Sequence, residues 1–146
     1  MRRIALCLLV CFAGCASQHP AATTEDAFPA RYVDSSVTAS DAETLASAMA
    51  AIASRRLNAP AQLIPAPDAD PVAPALTAAI RANGGSIVSH GIVPAHRVSY
   101  QVAPMEGGLL ARMQIDRDLV AQPFGRVRGS TLRPLGPVAV VEAARD

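Results

Sequence analysis

The chain has 146 residues, with 13 arginines and no lysine set against 12 acidic residues, and just over half of its residues are apolar. So even a charge balance gives no electrostatic footprint for nucleic acid, which draws on clustered positive charge. Aromatic residues make up 3% of the chain and Trp is absent, so stacking platforms for bases or sugars are poorly supplied. The length allows one small domain and a tether.

Met1 to Cys15 organises everything that follows. Arg2 and Arg3 give a positive start, Ile4 to Ala13 forms an apolar run too short to span a bilayer, and Gly14 precedes Cys15. This layout resembles a bacterial lipoprotein signal, in which an apolar residue, two small residues and a Cys are read together, here Phe12, Ala13, Gly14 and Cys15. The resemblance implies cleavage after residue 14 and acylation of Cys15. The covalent lipid, palmitate among its chains, is then the one attached group, and no other cofactor is expected. Cys7 and Cys11 leave with the signal, so no disulfide framework is possible in the mature chain. Burial of acyl chains contributes about 0.8 kcal/mol per methylene, and more than one chain is enough for stable anchoring. Ser17 stands where an inner-membrane retention signal would carry Asp, which implies the outer membrane, with the domain on its periplasmic side.

Residues 15–38 read as lipid anchor and flexible tether, because Ser17, Pro20, Thr23, Thr24 and Pro29 show no sustained period. Phe28, Tyr32 and Val33 interrupt that polarity; a short strand or a sticky segment for a partner would account for them, and incidental apolar residues of the tether account for them better. The domain is expected over 39–142. Ser40 and Glu43 have the spacing of a capping box. Leu45, Met49, Ile52 and Leu57 then mark one face of a helix of about 17 residues, with Arg55 and Arg56 in its last turn.

Gln62 to Ile64 predicts a short strand, and Pro67 to Pro71 a turn. Asp70 and Pro71 suit the N-cap and first position of a second helix carrying Val72, Leu76 and Ile80, with Gly84 as its left-handed end. Ile87 and Val88 supply another short strand, whose pairing with the first is open to parallel or antiparallel geometry. From Arg97 to Asp116 the period is two on both sides of a turn at Glu106 and Gly107. One register makes one face wholly apolar: Val98 with Ile115, Tyr100 with Met113, Val102 with Ala111. It sets Gln101 against Arg112 and Arg97 against Asp116 on the other face. Leu119 to Phe124 and Val127 to Leu132 read as edge strands, with Arg126 and Arg128 on a solvated face. Pro134 to Pro137 makes a turn, Val138 to Val141 a last strand, and residues 143–146 fray. The fold class is α+β, two helices on a small, mostly antiparallel sheet.

The inventory for catalysis is thin. No Gly-rich phosphate loop with a Lys and no His pair at helical spacing is present. His90 and His96, with Asp68 or Asp70, have no ligand spacing, and plain solvent-facing histidines account for them better. Turn and N-cap duty accounts for Asp68 and Asp70. Catalytic, cofactor-binding and metal residues are therefore not assigned, and Cys15 is the one candidate site, for lipidation.

The order of features, from Cys15 through the Ala-rich helix, the Pro67-Asp68-Ala69-Asp70-Pro71 turn, the Arg81-Ala82-Asn83-Gly84-Gly85 helix exit and the hairpin with Tyr100 and Gly107, resembles the TrbH family, small lipoproteins of conjugal-transfer type IV secretion systems. That resemblance implies a non-enzymatic, structural or accessory subunit. Its implied partners are the larger outer-membrane and bridging subunits of the same channel, with no direct nucleic-acid contact. A free-standing periplasmic lipoprotein that binds lipid, peptidoglycan or a peptide is the competing class, and a lipoprotein hydrolase built from scattered Ser, His and Asp residues is a third.

Overall fold

The computed structural model describes residues 31–64, 66, 70–89, 94–127 and 131–142. The signal segment, Cys15, Phe28, Asp68, His90, Arg128 and residues 143–146 lie outside the described residues.

The chain begins with strand β1 (Tyr32–Val33), helix α1 (Ala39–Ala53), strand β2 (Ala61–Ile64) and helix α2 (Val72–Ala82). A meander of β3 (His96–Met105), β4 (Gly108–Ile115) and β5 (Asp118–Val127) follows, then β6 (Thr131–Pro134) and β7 (Ala139–Val141). The meander is the centre of the sheet. β1 and β2 run parallel to β3 and share its free edge, β2 along residues 96–99 and β1 along 101–102. β6 and β7 share the free edge of β5 in the same end-to-end way. The class is therefore α+β, with a mostly antiparallel sheet.

The hairpin register is the expected one, with Val98 opposite Ile115, Tyr100 opposite Met113 and Val102 opposite Ala111. Gly107 takes a φ of 73°, a left-handed conformation that glycine adopts without a Cβ penalty. The next connection is also two residues long. Asp116 sits at φ 54°, and its carboxylate accepts from the Arg97 backbone N–H at 2.8 Å, so backbone rather than the Arg97 guanidinium meets it.

One face of the sheet carries Val98, Tyr100, Val102, Leu109, Met113, Val120 and Phe124, all buried, and α1 and α2 pack over that face. Ala42, Ala46, Ala50 and Ala53 are buried on α1 together with Leu45 and Met49, and such small side chains let a helix sit close to both sheet and neighbouring helix. α2 contributes Val72, Leu76 and Ile80, the expected i, i+4, i+8 stripe. Its exit is a Schellman motif: Gly85 N–H donates to Ile80 O at 3.0 Å and Gly84 N–H to Arg81 O at 3.0 Å, with Gly84 at φ 83°.

Several expectations are corrected. Helix α1 starts two residues earlier than the Ser40–Glu43 pair implies, because Thr38 and Asp41 form the capping box: Asp41 N–H donates to Thr38 Oγ1 and Thr38 N–H to Asp41 Oδ2. The helix ends at Ala53, so Arg55, Arg56 and Leu57 fall beyond it, and Arg56 pairs with Asp118 at 3.1 Å instead of capping the helix. Tyr32 and Val33 are a strand, and Val37 lies in the core, so the folded unit takes in residues before 39. Ile87 makes a single parallel bridge to Ala61 rather than a full strand.

The largest correction concerns β5. Leu119 to Phe124 belongs to a central strand that continues through Arg126, and the strand after it starts at Thr131. Pro123 is tolerated inside β5 because it falls between the β7 and β6 pairings. Its carbonyl accepts from Leu135 N–H at 2.8 Å on that outer side, where its missing N–H also points.

Candidate functional site

The described polar side chains gather in pairs that hold elements together. Asp41 is 2% exposed, and its carboxylate receives a fork from Arg126: Nη1 donates to Oδ1 at 3.0 Å and Nη2 to Oδ2 at 2.8 Å. Burial opposes the ionised carboxylate. The Arg126 guanidinium and the Thr38 N–H and hydroxyl outweigh it, and the pKa lies below the ordinary aspartate value. Arg126 is thus not a solvated edge cation. It lies two residues beyond Phe124, on the same face of β5, and points to the helices, where it ties the first turn of α1 to β5.

Asp70 does the capping expected of it, one residue earlier than the boundary assigned to the helix. Its Oδ1 accepts from Val72 N–H at 2.9 Å and Ala73 N–H at 3.1 Å. Its Oδ2 accepts from Ala66 N–H at 3.1 Å and from the hydroxyl of Tyr100. Tyr100 is fully buried in the centre of the sheet. Burial, then the bond to Asp70, pushes the phenol pKa far above its ordinary value.

His96 lies at the start of β3, with Nδ1 2.6 Å from Asp116 Oδ2 and Nε2 2.6 Å from Asn58 Oδ1. Both ring nitrogens are engaged, so no lone pair is directed at a metal or a substrate, and the imidazole instead fastens the α1–β2 loop to the β4–β5 turn. Sequence reasoning placed His96 in solvent; it is a clamp. Among the described residues no cluster of His, Cys, Asp or Glu has the makings of a metal site. His90 and Asp68, the other members of that candidate set, are outside the described residues.

Two surfaces remain. A shallow groove of about 680 Å³ runs between the start of α1 and α2, walled by Ala39, Pro71, Pro74, Ala75 and Ala78 with Glu43 at its side. The opposite surface is the sheet face that neither α1 nor α2 covers, where every second residue of β3, β4 and β5 is half-buried or exposed, Gly125 excepted. Leu135 packs over Gly125, since a Cβ there would meet its methyl groups at 2.9 Å. No helix among the described residues is long and apolar enough to cross a membrane.

The pairs missed by sequence reasoning carried a signal. Thr38 and Asp41 have capping-box spacing, and an inward-facing Tyr100 needs a partner for its hydroxyl. The family model of the conjugal transfer protein TrbH matches residues 20–144, which is most of the chain. No curated protein and no solved structure matches it.

Proposed function

From the premise that the chain belongs to the TrbH family of conjugal transfer proteins, we propose that it is a lipid-anchored accessory subunit of a conjugative type IV secretion channel, held at the outer membrane through Cys15. The family membership carries this reading, and the chemistry of the described residues agrees with it. The buried Asp41 and Tyr100 and the half-buried Arg126 and Asp70 are each spent on joining elements, and a scaffold subunit needs such rigidity rather than a reactive centre.

The anchor sets the geometry of the role. The 16 residue steps between Cys15 and Arg31 reach at most about 55 Å when extended, so an acylated Cys15 keeps the domain within that distance of the bilayer. The domain then offers its surfaces to larger outer-membrane and bridging subunits, and energy coupling belongs to other chains of the apparatus. A non-enzymatic role follows from the same reading.

Intact-mass measurement of the chain purified from membranes tests the anchor. The expected product begins at Cys15 and carries acyl chains, fractionates with the outer membrane, and restores transfer to a strain deleted for it, whereas Cys15→Ser does none of these. An unmodified thiol at residue 15, or normal transfer in the deletion strain, overturns the proposal.

A further inference from the structure

The uncovered sheet face is electrostatically one-sided. The register places Arg97 of β3, Arg112 of β4 and Arg133 of β6 on it, because Arg112 is opposite Gln101, four residues from Arg97, and Arg133 is opposite Gly125, four residues from Ala121, the other partner of Arg112. No strand position facing outward on β1 to β7 is Asp or Glu. Arg112, Arg97 and Arg133 make no ion pair among the described residues, whereas Arg56 and Arg126 are matched to carboxylates. Asp116, in the turn after β4, is engaged by His96 and the Arg97 backbone. Between the arginines lie Leu110 and Leu119, both half-buried, and Leu135 stands at the rim, 48% exposed.

We infer that this face is the docking surface for a protein partner that presents carboxylates set among apolar side chains. The inference deepens the proposed channel role by naming the partner-facing surface, and its chemistry rests on charge complementarity. Guanidinium groups offer forked donors that match carboxylates bidentately, and a flat half-apolar sheet face supplies the area around them. Arg112 decides the occupant. It stands mid-sheet between the uncharged Gln101 and Ala121, so a carboxylate reaches it when a partner surface covers Leu110 and Leu119 as well. A second copy of this chain would bring arginine against arginine, which costs rather than gains.

Photo-crosslinking in conjugating cells tests the inference on the full chain. A photoreactive phenylalanine derivative replaces Leu119 on the sheet face, or Ala78 on the exposed side of α2 as a control. The expected result is an adduct from position 119, and not from 78, with a partner whose captured peptide contains Asp or Glu. Arg112→Glu lowers its yield about tenfold or more, and reversing the partner's acid to Arg restores it. Arg133→Glu, on the exposed edge, lowers the yield in the same direction, which separates docking from misfolding at position 112. Adducts to lipid or to a second copy, equal yields from both positions, yields insensitive to both arginine variants, or no adduct all overturn it. If the captured partner is not a transfer subunit, the channel role falls and the surface stands. If transfer subunits are captured from position 78 alone, the surface falls and the channel role stands.

Discussion

Asp41 is the residue on which the joint between helix and sheet turns. Its carboxylate closes the capping box of α1 and takes both arms of Arg126, so Asp41→Ala strands a guanidinium and a helix start together. The expected cost is about 2–3 kcal/mol in a denaturant melt. Because the folded-state pKa of Asp41 is lowered, its contribution is present above the ordinary aspartate range and is lost as pH falls through the folded value. The acid limb of a stability curve should therefore be shallower in Asp41→Asn than in the parent chain. Tyr100 acts at the other end of the scale. Its raised pKa keeps the phenol protonated in the fold while the unfolded chain ionises near pH 10, so stability is full below that value and falls as pH rises above it. Tyr100→Phe should cost about 1 kcal/mol at neutral pH and remove that alkaline loss, as read from melts across the range. Arg126 shows what sequence reasoning loses at this scale. Continuing the period of two from Val120 and Phe124 puts Arg126 inward, but Pro123 and Gly125 look like interruptions, and a charged residue after a Gly reads as edge.

At the scale of elements, the hairpin was legible because its register has one solution that keeps Arg112 and Gln114 off the apolar face. The same logic makes the turns its weak points. Gly107 is left-handed with open space around a notional Cβ, so Gly107→Ala should cost about 1 kcal/mol through backbone conformation alone. Gly108 is different. A Cβ there would lie 1.9 Å from the Phe124 carbonyl oxygen, so Gly108→Ala must push β4 and β5 apart and should unfold the chain at a lower denaturant concentration than Gly107→Ala. The start of α2 was legible at Asp70, and the start of α1 was legible in kind and not in place. Ser40–Glu43 and Thr38–Asp41 both satisfy the capping spacing, and the choice between them belongs to Arg126, eighty-five residues from Asp41. Long-range partners of that sort leave no local signal. Of the short edge strands, β2 and β7 were legible as Gln62 to Ile64 and Val138 to Val141, whereas β6 was misplaced and β1 left open, because two to four residues are too few for a period to be counted.

The whole molecule is a two-layer domain with helices on one side of a sheet and an arginine-bearing face on the other. On the proposed reading, the charge pattern of the arginine-bearing face gives the domain a direction in which to bind. Membership of a conjugal transfer family was legible from the order of short features, namely the Ala-rich helix, the Asp-Pro helix start and the hairpin, rather than from any single motif. That order reflects a fold, and a fold does not require an invariant reactive side chain. In the proposed role, an acylated Cys15 and this domain together make a channel subunit. Affinity isolation of the full-length protein from membranes of conjugating cells, wild type beside Cys15→Ser, tests it most directly when the co-purifying chains are identified. Large outer-membrane and bridging subunits are expected to accompany the wild type and to be depleted with Cys15→Ser. A wild-type protein that purifies without any transfer subunit would contradict it.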